Sequence, residues 1–181
     1  MTAQNVPEEH ARMSTLVIRP ATEQDKPGVW LVLEPTIRAG ETYTLPRDMP
    51  RDEALAYWFS PGHDVFVAEA AGKVAGTYFL KANHKGGGSH VANCGYVVAP
   101  EAGERGIGRA MCEDSLQRAK ARGFRAMQFN FVVSSNERAV RLWQALGFEV
   151  VGRLRSAFNH PTLGMVDALV MYRALSGSDP G

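Results

Sequence analysis

The run Val97-Val-Ala-Pro-Glu-Ala-Gly103-Glu-Arg105-Gly106-Ile-Gly108-Arg-Ala110 constrains this chain most, because it joins a strand pattern to a helix pattern through closely spaced glycines. Glycine lets backbone approach a ligand, and the free N–H groups of a helix start favour phosphate. Taken alone, Gly106-Ile-Gly108 reads equally as an anion cradle or as a glycine-rich turn. A dinucleotide fingerprint needs a third glycine where Met111 stands, and no Walker lysine follows.

Around this run the hydrophobic period switches between helix and strand. Residues 16–18 read as a first strand; Thr22 and Asp25 then cap a helix carrying Trp30, Leu33 and Ile37, its length limited by Pro27 and Pro35. A second helix is expected over 51–59, after a loop at 40–50. Residues 65–68 and 74–80 form a hairpin about Ala71-Gly72, residues 85–89 a flexible glycine loop, and 90–99 a strand ended by Pro100. A helix over 107–122 follows, its start enclosed on two sides. Next comes a strand in which Met127, Phe129, Phe131 and Val133 alternate with Gln128, Asn130 and Val132. Ala139, Leu142, Trp143 and Leu146 mark a further helix, with Ser134 and Glu137 as its capping box and Gly147 as its stop. Strands over 148–154 and 166–172 end the pattern. The fold class is α/β, a mixed sheet in the order strand, two helices, three strands, helix, strand, helix, two strands.

Length and composition, 181 residues with 45% hydrophobic and 22% charged, suit one domain over 16–175. Residues 1–15 and 176–181 lack periodicity and are expected to be loosely ordered. Lys and Arg number 20 against 19 Asp and Glu, so nothing argues for nucleic acid or an anionic membrane as partner. Cys94 and Cys112 are neither a disulfide framework nor a metal site, and no metal is expected. With no signal-peptide pattern and no long apolar stretch, a cytoplasmic protein is expected.

Some 30 residues after the glycine pair stands Asn136-Glu-Arg-Ala139-Val-Arg-Leu142-Trp143-Gln-Ala-Leu-Gly147-Phe148. With Gly106-Ile-Gly108 it resembles the two ordered signatures of the GNAT N-acetyltransferases, over about residues 16–175. The resemblance implies a GNAT acyl-CoA N-acyltransferase fold: a sheet of six to seven strands, about four helices and a splayed central strand pair. It implies acetyl-CoA as cosubstrate, entering between the strands at 90–99 and 126–133. Its pantetheine would pair with backbone near Val97 and Val98, and its pyrophosphate with Arg105, Gly106, Ile107, Gly108, Arg109 and Ala110. Asn136, Ala139 and Trp143 complete the coenzyme set. The family's usual Gln or Arg three residues before the first motif glycine is replaced by Gly103, for which Arg105 is a substitute.

His90-Val-Ala-Asn93-Cys-Gly-Tyr96, Phe129-Asn130-Phe131, Trp143 and Val166-Asp-Ala168 are together similar to the azetidine-2-carboxylate acetyltransferases, which act on proline-like amino acids. That likeness implies an acceptor pocket with Asn93, Asn130 and Phe131, closed by Glu41 and Tyr43; a carboxamide both donates to a carboxylate and accepts from an amine. The competing reading of Asn93 is a buried side chain bridging splayed backbone. The resemblance also assigns Val98 N–H as oxyanion donor, with Asn130 beside it in catalysis. Trp143 stands where many relatives carry an acidic tyrosine, so it walls the coenzyme instead. Glu41 and His90 are the candidate bases, and neither is assigned. Three functions stay open: acetyltransfer to a small-molecule amine, acetyltransfer to a protein amine, aminoglycoside or polyamine, and a silent acyl-CoA-binding domain. A homodimer is also left open.

Overall fold

The computed structural model describes residues 16–102 and 106–175. The expectations for 1–15, 176–181, Gly103 and Arg105 lie outside the described residues. Among the described residues, the elements follow the expected order: β1 (Val17–Pro20), α1 (Lys26–Ala39), α2 (Arg51–Trp58), β2 (Asp64–Ala70), β3 (Lys73–Ala82), β4 (Val91–Val98), α3 (Ile107–Ala121), β5 (Ala126–Val133), α4 (Glu137–Ala145), β6 (Glu149–His160) and β7 (Gly164–Ala174). The glycine loop after β3 contains a short 3-10 turn, Gly86–Gly88.

Thr22 and Asp25 cap each other around a 3-10 turn that leads into α1. Pro27 sits in the first helical turn, where its missing N–H costs nothing. The helix runs through Pro35 and carries Ile37 as expected, but Pro35 does not set its length: α1 continues to Ala39 and stops at Gly40, whose φ is 66°. Burial of Val29, Val32, Leu33 and Ile37 along one face outweighs the roughly 3 kcal/mol that an interior proline costs.

The seven strands form one sheet in the order β1-β2-β3-β4-β5-β7-β6. Every pairing is antiparallel except that of β4 with β5, whose register covers only Val91↔Ala126 and Ala92↔Met127. Beyond this short register the two central strands part. Side-chain contacts place the helices on both faces. Trp58 of α2 donates to Thr77 and packs on Phe79, while Tyr96 on the opposite face bonds Ser115 of α3 and packs on Trp143 of α4.

β5 departs from the simple alternation. It pairs Phe129 with Met171 but Val132 with Leu169, so Asn130 and Phe131 share a bulge and the two-residue period breaks after Phe129. The cap of α4 also differs from expectation. Asn136, not Ser134, is the N-cap, its side chain accepting from Ala139 N at 3.3 Å. β6 and β7 extend beyond 148–154 and 166–172, joined by Arg153 and the Ser156 N–H on the Asp167 carboxylate.

Candidate active site

A cavity of about 690 Å3 opens where β4 and β5 part. Its floor is β4 from Cys94 to Val98, its walls are the β5 bulge and the starts of α3 and α4, and its far end is closed by Thr42, Tyr43, Thr44 and Tyr57.

Strand parity decides which backbone groups face this gap. Ala99 N donates to Ala75 O at 2.9 Å and the register with β3 runs without a break, so odd-numbered residues of β4 spend their N–H and C=O on β3. Val97 lines the cavity, but its backbone is therefore part of the β3 ladder and does not face the gap as expected. Val98 and Tyr96 carry the gap-facing groups. The Tyr96 carbonyl accepts from the Tyr43 hydroxyl at 3.0 Å, which ties the loop after α1 to the floor.

The helix start is equally specific. Gly106 is the N-cap of α3 with φ 72°, a left-handed conformation that suits glycine. An added Cβ there meets nothing within 4 Å, whereas at Gly108 it would touch Leu142 and Val98 at 3.6 and 3.7 Å. Ala110 N already bonds Gly106 O at 3.0 Å, so Ala110 does not contribute to the cradle; the free first-turn donors belong to Ile107, Gly108 and Arg109. The Ile107 side chain is buried against the sheet and does not line the cavity.

Of the other predicted residues, Tyr43, Arg109, Asn130, Phe131, Asn136, Ala139 and Trp143 all line the cavity. Glu41 is exposed and outside the lining. Asn93 is also outside it: buried, its Nδ2 donates to Gln128 O at 2.9 Å and laces the strands just past their last ladder pair. That is the backbone-bridging reading. Trp143 packs within 5.1 and 5.2 Å of the Tyr96 and Phe129 rings, so it is core and cavity wall together.

Sequence reasoning missed Thr36, Tyr57, Cys94 and Arg138 in the lining. Only the fold brings α1, α2, β4 and α4 to one gap; Cys94 and Arg138 lie inside the quoted runs with no role assigned there, and no local motif marks Thr36 or Tyr57. Arg109 and Arg138 are the only charged side chains among the described lining residues, with no Asp, Glu, Lys or His. Arg109 also holds Glu113 at 3.4 Å, an exposed pair of small weight. Neither Glu41 nor His90 reaches the lining. Burial raises the Tyr43, Tyr57 and Tyr96 hydroxyls above their usual range, and pushes the Cys94 thiol up to about 12. No group of His, Cys, Asp and Glu at metal-binding spacing occurs among the described residues.

The sequence profile of the acetyltransferase (GNAT) family matches residues 30–148. The chain is similar to N-acetyltransferase aca1 of Schizosaccharomyces pombe, 31% identical over 137 residues, which are 67% of this chain and 66% of that protein. It is similar to a mycothiol acetyltransferase of Paenarthrobacter aurescens, 31% identical over 93 residues, 50% of this chain and 28% of that protein. The alignments thus span less than two thirds of either relative's length. Among solved structures, a GCN5-related N-acetyltransferase from Kribbella flavida is 40% identical with a TM-score of 0.84, covering 88% of this chain and 97% of that one.

Proposed function

This chain belongs to the acetyltransferase (GNAT) family, and we propose that it is a cytoplasmic acetyl-CoA-dependent N-acetyltransferase acting on a small amine, a proline-like amino acid in particular. The mixed sheet of seven strands with four helices is the family's fold. Residues 16–175 form one catalytic domain in this reading. The observation that carries it is the meeting, in one cavity, of a gap-facing Val98 N–H with the free donors that follow Gly106.

The residues present fit acetyl-CoA. Gly106, Ile107, Gly108 and Arg109 would hold its pyrophosphate by N–H groups and helix dipole, with Arg109 and Arg138 adding charge. Asn136 orders the α4 start, and Ala139 and Trp143 wall the pantetheine. Acceptor residues are Tyr43, Asn130 and Phe131, with Asn93 holding their frame. The acceptor nitrogen attacks the thioester carbonyl, forming the amide as the carbon–sulfur bond breaks; the Val98 N–H stabilises the oxyanion. Among the described lining residues there is no carboxylate or histidine to act as base, so in this reading the amine reacts neutral and its proton leaves through water.

Among the described residues the lining carries no carboxylate, which favours a zwitterionic or neutral acceptor over a polyamine or aminoglycoside. The mycothiol acetyltransferase among the similar proteins is named for an acceptor of different chemistry, so the choice rests on the cavity itself. Our reading includes a homodimer through the hairpin of β6 and β7, where Val150, Val151, Leu154, Leu163 and Met165 are exposed beside the sheet edge. Thiol release from acetyl-CoA, measured over amino acids, peptides and polyamines, tests the function. Turnover with azetidine-2-carboxylate or proline supports it. Turnover of peptides alone, or saturable coenzyme binding without any turnover, sinks it.

A further inference from the structure

Among the described residues, the one buried side-chain polar atom without a hydrogen-bond partner is Nδ2 of Asn83, just past the end of β3. A buried orphan donor opposes stability, so its presence asks for a reason outside the fold. The oxygen of the same carboxamide supplies one. Asn83 Oδ1 accepts from Asn130 Nδ2 at 2.7 Å, and Asn130 Oδ1 accepts from Gln128 Nε2 at 2.9 Å. Separately, the backbone carbonyl of Gln128 takes the Asn93 side-chain amide at 2.9 Å. This chain of carboxamides crosses from the end of β3 to the β5 bulge, where β4 and β5 part.

The donors in it run one way. Turning Asn83 over alone would set two NH2 groups face to face, and turning Asn130 over alone would pair like with like at both of its ends. Asn130 needs such support: it is exposed, it stands in a bulge outside the β7 register, and it lines the cavity. An unsupported side chain there would sample several rotamers.

We propose that Asn83 is a positioning residue of the acceptor site: by accepting from Asn130 it fixes how the Asn130 carboxamide presents its remaining N–H and lone pair to the acceptor. The N–H suits a carboxylate and the lone pair suits an amine N–H, so one oriented carboxamide reads both ends of an amino acid. The inference rests on the reading of Asn130 as an acceptor-binding residue.

Steady-state kinetics with azetidine-2-carboxylate at saturating acetyl-CoA test it, in the unaltered protein, Asn83→Ala, Asn83→Asp, Asn130→Ala and the double alanine variant. Asn83→Ala should raise the acceptor KM about tenfold, leaving the acetyl-CoA KM within about twofold. Asn83→Asp keeps an oxygen at the same place and should restore the acceptor KM. Adding Asn83→Ala to Asn130→Ala should change nothing further, the mark of a residue acting through another. An unchanged KM in Asn83→Ala beside a raised one in Asn130→Ala overturns this inference alone, as does a lower Tm without a kinetic effect. A silent Asn130→Ala, or no turnover of the probe by the unaltered protein, overturns the acceptor reading and this inference with it. Should Asn83→Ala not fold, Asn83→Ser, too short to reach Asn130, takes its place with the same expectations.

Discussion

Cys94 is the side chain in the cavity that invites a second mechanism, transfer through an acetylated cysteine. Burial pushes its thiol up to about 12, so at neutral pH almost none is thiolate, the form a nucleophile requires. Cys94→Ser should therefore keep kcat within about threefold, and intact-protein mass spectrometry after mixing with acetyl-CoA should find no acetyl on the chain. Gly106 makes the opposite prediction. A β-branched residue at φ 72° costs about 1–2 kcal/mol, and open space around the site lets the chain fold regardless. Gly106→Val should raise the Kd for acetyl-CoA by more than about tenfold in calorimetric titration, with its thermal transition still cooperative. At this scale the residue types were readable but their bonds were not. Ala110 falls out of the cradle because its N–H closes the first helical bond, and Asn93 is spent on Gln128. Asn83 carries no sequence signal, since its partner lies 47 residues away.

Between residue and fold, the start of α1 depends on one ionic cap. Arg19 grips Asp25 through both carboxylate oxygens at 2.8 and 2.9 Å, Thr22 N adds a bond of 2.7 Å, and Glu69 of β2 holds the other side of the guanidinium at 2.8 Å. The Arg19 guanidinium holds the Asp25 carboxyl well below its usual 3.8, against the opposing effect of burial. A folded-state value below the unfolded one means this contribution is whole above 3.8 and is lost as pH falls below it. Asp25→Asn should lower stability by about 1–3 kcal/mol at neutral pH in urea unfolding, and the difference from the unaltered protein should shrink on acidification below the ordinary carboxyl range. The Thr22 and Asp25 cap was legible because capping is a local code, and so was the order of all eleven strands and helices. Pro35, the β5 bulge and the Asn136 cap were not. Burial across the sheet overrides proline's local cost, and β5 takes its register from β7, some 40 residues on.

For the whole molecule, the charges nearly cancel, 20 basic against 19 acidic residues, so no strong long-range field steers a ligand in. The cavity departs from that balance, with Arg109 and Arg138 in its lining and no carboxylate among the described residues there. Both arginines sit toward the helix starts, the side we propose for the coenzyme, while the end proposed for the acceptor offers hydroxyls, rings and the Asn130 carboxamide. Salt should therefore separate the two substrates. A roughly tenfold rise in ionic strength shortens the screening distance about threefold, which weakens exposed charge pairs and leaves short neutral hydrogen bonds alone. The acetyl-CoA KM should rise several-fold, and the KM for a zwitterionic amino acid should stay within about twofold. Arg138→Glu should raise the acetyl-CoA KM at low salt and flatten its salt dependence, because an attractive charge becomes a repelling one at the same wall. Equal salt responses for both substrates would place the arginines' charge on the acceptor instead, and acceleration of spermidine acetylation by Arg138→Glu would show that cavity charge, not pocket shape, excludes polycations.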